Sequence, residues 1–129
     1  MLSKKTSSKK PAVKLRIVLD EEAFLGPGKA DLLQGIAETG SIAAAGRRLG
    51  MSYKRAWLLA ETLNGYFHEP LVTAATGGKA GGGATLTKLG QDVLVRYRRM
   101  VAASEAACAE DVAALNKLRG RKLRGKSAK

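Results

Sequence analysis

A chain of 129 residues, 45% hydrophobic and 26% charged, has the size and balance of one compact domain, which excludes two ordinary domains and a disordered chain. One cysteine, Cys108, excludes an internal disulfide, and one histidine, His68, offers no paired ligands for a metal, so no cofactor is expected. The net charge of +12 sits mainly at the ends: residues 1–14 hold five lysines and residues 117–129 seven cations, with no acid in either, leaving eleven cations against eleven acids between them.

Such tails fit polyanion affinity and ordinary solubilising ends equally. They are read as flexible segments, 1–12 and 119–129, around a domain at 13–118. Lys14 and Arg16 interrupt the stretch where a signal peptide would need an apolar core, and nothing approaches the ~20 apolar residues of a membrane span. No membrane partner is expected, and the cytoplasm is the default compartment.

In chain order, VKLRIVLD alternates, with Val13, Leu15, Ile17 and Leu19 predicted on the buried face of a strand. GPGK ends it, and Pro27 suits a helix start. Leu32, Leu33, Ile36 and Ala37 then form a 3.6-residue stripe, giving a first helix over roughly 28–39 that stops at Gly40 in a left-handed cap. Ser41 caps a second helix, IAAAGRRLG, with Ile42, Ala45 and Leu49 inward and the small Ala44, Ala45 and Gly46 permitting close approach of a neighbour. Gly50 breaks the chain. Ser52 caps a third helix, YKRAWLLAETLN, with Ala56, Leu59, Ala60 and Leu63 inward, closed by Asn64-Gly65. Two short capped helices around a glycine turn, the second opening on cations, have the sequence form of a helix-turn-helix.

Beyond Pro70, LVTAAT and ATLT flank five glycines between Gly77 and Gly83, with Lys79 among them. A phosphate-binding P-loop would need glycine at 73 and a hydroxyl at 80, where Thr73 and Ala80 stand, and a helix directly after the loop. A linker is the plain alternative; a hairpin following a helix-turn-helix is a wing. From a cap at Thr87 a long helix runs to about Arg119, with Leu94, Tyr97, Val101, Ser104, Cys108, Leu115 and Leu118 at steps of three and four. About thirty residues span ~45 Å, longer than a body this small can cover, so its far half must bury its stripe on a second chain or remain marginal. The expected fold is mainly α with a small β wing: a winged helix-turn-helix followed by a long C-terminal dimerisation helix.

SYKRAW (Ser52–Trp57) and TAATGGKAGGGATLTKLGQ (Thr73–Gln91) resemble the DNA-binding domain of ModE-type molybdenum-responsive transcriptional regulators. GSIAAAGRRLGM matches the same family's first helix-turn-helix helix and is similar to that of LysR-type regulators. The resemblance covers roughly residues 13–118. It implies a dimeric winged helix that binds operator DNA, paired through its last helix. Full-length members continue into a molybdate-binding module not present in this sequence, so molybdate sensing is not carried over; a separate effector-sensing protein stays open as a partner.

On that resemblance the candidate DNA contacts are Arg47, Arg48, Ser52, Tyr53, Lys54, Arg55, Gly78 and Lys79. Tyr53–Arg55 occupy the first turn of a recognition helix, where Arg55 can grip a guanine and Lys54 a guanine edge or phosphate. The plain alternatives are a solvated turn for these three, a simple cap for Ser52, and helix-dipole partners for Arg47 and Arg48. Gly78 and Lys79 would meet the sugar-phosphate chain from the wing. Trp57, one residue off the inward stripe, is read as core, and His68 as structural or solvent-facing. Leu94, Tyr97, Val101, Cys108 and Leu115 are the candidate dimerisation residues. No catalytic set emerges, and an enzyme is not expected. The reading is a sequence-specific regulator binding double-stranded DNA as a homodimer on an inverted repeat. The alternatives are a winged-helix protein-interaction module and a sequence-independent DNA architectural protein.

Overall fold

The computed structural model describes residues 12–75 and 83–119. The described residues divide into two compact units, one within Leu15–Arg99 and the other holding residues 12–14 together with 100–119.

The first unit opens on a hairpin, β1 (Ile17–Asp20) against β2 (Ala23–Leu25), antiparallel with an irregularity between Val18 and Asp20. The Asp20 carboxylate makes the turn, accepting the N–H groups of Glu22 at 2.9 Å and Ala23 at 3.0 Å. The strand is shorter than its alternation predicts, and Leu19 is not inward: it is exposed, as is Val18. Among the described residues nothing buries the tip of this two-stranded ribbon, so alternation there does not sort an inner from an outer face.

Helix α1 (Pro27–Thr39) begins with proline at its first position and ends on Gly40 at φ 74°, whose N–H bonds to Ile36. Leu32, Leu33 and Ile36 are fully buried, but Ala37 is exposed. Gly35 takes its place on the inner face, because a Cβ there would stand 2.8 Å from that of Ala45 on α2 (Ile42–Arg48). The α1–α2 contact is thus built on a missing methyl group. The same device recurs between α2 and α3 (Tyr53–Tyr66), where a Cβ on Gly46 would meet that of Ala56 at 2.8 Å. Gly50 at φ 74° turns the chain between them, and Met51 N–H closes the turn on the Gly46 carbonyl at 2.9 Å.

Helix α3 runs through Asn64-Gly65 instead of stopping there. The Asn64 amide serves the following segment: Oδ1 accepts Leu71 N–H at 2.8 Å and Val72 N–H at 3.0 Å, and Nδ2 donates to the Val72 carbonyl at 3.0 Å. A side chain committed to tertiary bonds cannot also build an Asn-Gly turn. The wing strands, β3 (Val72–Ala75) and β4 (Gly83–Leu86), pair antiparallel from Val72↔Leu86 to Ala75↔Gly83. Ala84 N–H on β4 bonds to the Gly40 carbonyl at 2.9 Å, fixing the wing to the end of α1.

Helix α4 (Lys88–Leu118) starts from Thr87, whose Oγ1 accepts Gly90 N–H at 2.9 Å and donates to the Pro70 carbonyl at 2.8 Å. Gly90 is buried against the Leu71 carbonyl, where any side chain would collide with backbone. Val93, Leu94 and Tyr97 complete the first unit's core, and the Tyr97 hydroxyl donates to the Leu15 carbonyl at 2.6 Å. Arg98 pairs with Asp31 on α1 at 3.3 Å. In the second unit, Ala12 and Val13 lie beside Glu105, Ala109, Val112, Ala113 and Asn116 of α4, around an open cavity of about 360 Å³.

Candidate nucleic-acid interface

Helix α3 is positioned from both ends. Ser52, in extended backbone, accepts Arg55 N–H with its hydroxyl at 3.1 Å, satisfying one of the donors that a helix start leaves open. Ala56, Ala60 and Leu63 pin the opposite face in the core. Held this way, the first turn presents Tyr53, Lys54 and Arg55 to solvent, with Tyr53 58% exposed. No ion pair or side-chain hydrogen bond engages these three among the described residues.

The two arginines that end α2 differ in state. Arg48 donates to Glu38 on α1 at 2.5 Å, both half-exposed, so its charge is partly answered within the chain. Arg47 is exposed and has no ion pair among the described residues. The structure thus gathers Ser52, Tyr53, Lys54 and Arg55 on one turn. Gly78 and Lys79 lie outside the described residues, though the strands that carry them form the expected hairpin.

Trp57 is not core. It is 42% exposed, and its neighbour Leu58 is 49% exposed, on the same two turns as Lys54 and Arg55. A wheel at 100° per residue, drawn from the alanines outward, carries this signal; the size of the indole hid it. A second feature lacks any sequence signal: Phe24 lies between two cations, the Lys29 amine 3.4 Å and the Arg16 guanidinium 3.8 Å from its ring centroid. Lys29 is buried, its charge set against aromatic faces.

The candidate dimerisation residues separate along α4. Leu94 and Tyr97 are buried within the first unit, so their surface is already used. Val101 and Cys108, in the second unit, are half-buried, and Leu115 is 64% exposed. His68 is exposed beside Glu69. Among the described residues no cluster of histidine, cysteine or carboxylates could hold a metal, and no helix is long and apolar enough to cross a membrane.

No family model matches the chain. It is 48% identical over 75 residues to the molybdenum-pterin-binding protein MopB of Rhodobacter capsulatus, covering 58% of this chain and 28% of that one. It is 41% identical over 83 residues to the DNA-binding transcriptional dual regulator ModE of Escherichia coli K12, covering 64% of this chain and 32% of that one. The chain therefore spans about a third of the length of the curated relatives it matches. Neither name describes an enzyme. Among solved structures, the CbnR DNA-binding domain, crystallised with DNA, superposes with a TM-score of 0.55 at 23% identity, covering 68% of this chain and 95% of that one, which is a likeness of fold. The chain carries a winged helix-turn-helix fold, and over roughly 60% of its length it is similar in sequence to part of the ModE and Mop proteins.

Proposed function

We propose that the chain is a DNA-binding transcriptional regulator that reads an inverted-repeat operator as a homodimer. The observation that carries this reading is the first turn of α3, where a serine cap and a buried alanine face hold Tyr53, Lys54 and Arg55 outward and unpaired among the described residues. That turn is the part of a recognition helix that reaches base edges in a major groove. The relative named a DNA-binding transcriptional dual regulator supports it at 41% identity. Arg47 and the wing lysine Lys79 supply backbone contacts; Arg48, answered by Glu38, contributes less. Exposed Leu115 and half-buried Val101 and Cys108 on α4 are the surface through which a second copy pairs, and two-fold pairing makes the target an inverted repeat.

The test compares Arg55→Ala with Lys79→Ala on a duplex selected from a random pool and on its scrambled counterpart, across a salt series. Arg55→Ala is expected to cost about 1–3 kcal/mol and to relax preference at one position in each half-site. Lys79→Ala is expected to weaken both duplexes alike and flatten the salt slope, because it removes counterion release and not readout. Proportional losses in both variants contradict this division of labour. No change in either favours a protein-interaction module.

A further inference from the structure

Two large apolar side chains stand among the cations of α3. Ala56, Ala60 and Leu63 define its buried side, so at 100° per residue Lys54, Leu58 and Glu61 point furthest from the core and Trp57 shares a flank with Tyr53. Trp57 and Leu58 are 42% and 49% exposed, and Trp57 has no ring or cation contact among the described residues. Scattered exposed apolar residues are ordinary. These two are adjacent, and they interrupt the cationic surface that the proposed function lays in a major groove. The apolar group that such a groove offers is the C5-methyl of thymine, set beside the O4 acceptor. An indole suits that pair of features, since its face is apolar and its N–H donates. Lys54 and Leu58 stand one helical turn apart, about 5–6 Å between Cβ atoms, under two base steps at ~3.4 Å along a strand. A cation on guanine or phosphate and an apolar group on a nearby thymine thus fit one pass of the helix.

We propose that Trp57 and Leu58 read thymine through its 5-methyl group, a specificity that adds to the hydrogen bonds of Lys54 and Arg55. This rests on the reading of α3 as the recognition helix. The test uses the full chain and a duplex selected from a random pool, in which each thymine in turn is replaced by deoxyuridine, removing the methyl and leaving the protein untouched. Affinity is expected to fall about fourfold, the worth of one buried methyl, at one or two positions in each half-site. Trp57→Ala or Leu58→Ala should bind the thymine and uracil duplexes equally at those positions. A chain that discriminates selected from scrambled duplex yet ignores every thymine-to-uracil exchange overturns the proposal while sparing the regulator reading. Retention of the full penalty in both variants overturns it too, by placing the methyl elsewhere. Failure to enrich any sequence overturns both.

Discussion

The side-chain amide of Asn64 brackets the backbone of Val72, accepting its N–H and donating to its carbonyl, each at 3.0 Å. Oδ1 also accepts Leu71 N–H at 2.8 Å, so one residue near the end of α3 satisfies three backbone groups where the wing begins. Leu71 and Val72 are buried, and these groups have little access to water if the amide is lost. Asn64→Ala is expected to lower stability by about 2–3 kcal/mol, read as a shift of the urea midpoint at unchanged slope. Asn64→Asp keeps the acceptor but loses the donor to Val72, and should fall between the two. A midpoint for Asn64→Ala within error of wild type would mean that these bonds hold nothing.

Gly46 and Ala56 give a second test, at the heart of the helix-turn-helix. A methyl on Gly46 would overlap that of Ala56, and both residues are buried. Gly46→Ala should therefore destabilise by about 1–3 kcal/mol through overpacking, although alanine is the better helix former. Ala56→Gly on top of it removes the colliding methyl. The double variant should recover part of the loss, giving a favourable coupling energy in a thermal-melt cycle. Strict additivity would show that the helices separate freely and that the close approach is not required.

Tyr97 links stability to alkaline pH. Burial raises its phenol above the usual value of 10.0; Arg98 opposes this and Asp31 adds to it. Its hydroxyl donates to the Leu15 carbonyl, a bond the phenolate cannot make. With the folded value above the unfolded one, the native state holds the proton longer. The contribution is complete below pH 10 and is lost as pH rises through the folded value. Tyr97→Phe should cost about 0.5–1.5 kcal/mol at neutral pH and show a shallower stability loss above pH 10. Equal alkaline slopes for the two proteins would assign the loss to other groups.

What could be read in the sequence was what local rules decide. Ser41 and Ser52 cap their helices, Gly40 takes left-handed backbone, Gly50 breaks the chain between two helices, and Pro27 opens α1, each by chemistry confined to a few neighbouring residues. The misreadings arose where distant contacts decide. Asn64-Gly65 has the composition of a turn, but Val72 claims the amide and the helix continues. Gly35 carries no hydrophobic signal, yet Ala45 needs its empty space, and Ala37 is turned outward. Strand β2 has three residues, too few for a period to register. At the site, the cationic turn is legible because its residues are consecutive; the exposure of Trp57 is carried by its place on the helical wheel, against which the size of the indole argues for burial.

Pairing through α4 is open to direct test. At 1.5 Å per residue its 31 residues measure ~46 Å, and the residues used inside the first unit end with Tyr97 among those buried. Beyond Arg99 the half-buried positions are Val101, Ser104, Cys108, Val112 and Asn116, steps of three and four that draw one continuous stripe, flanked by exposed Leu115 and Leu118. A stripe this long has little intrinsic helix stability unless its face is covered. Sedimentation equilibrium at micromolar concentration should therefore return twice the chain mass. Val101→Glu and Leu115→Glu should each shift the equilibrium toward monomer while leaving the melting of the first unit unchanged, because neither side chain belongs to it. Loss of pairing should also lower affinity for a two-half-site duplex far more than for a single half-site, since linked half-sites bind through effective concentration. A wild-type chain that remains monomeric at these concentrations, or variants that lose the dimer only by unfolding the first unit, would remove α4 from the pairing surface and with it the reason to expect an inverted repeat.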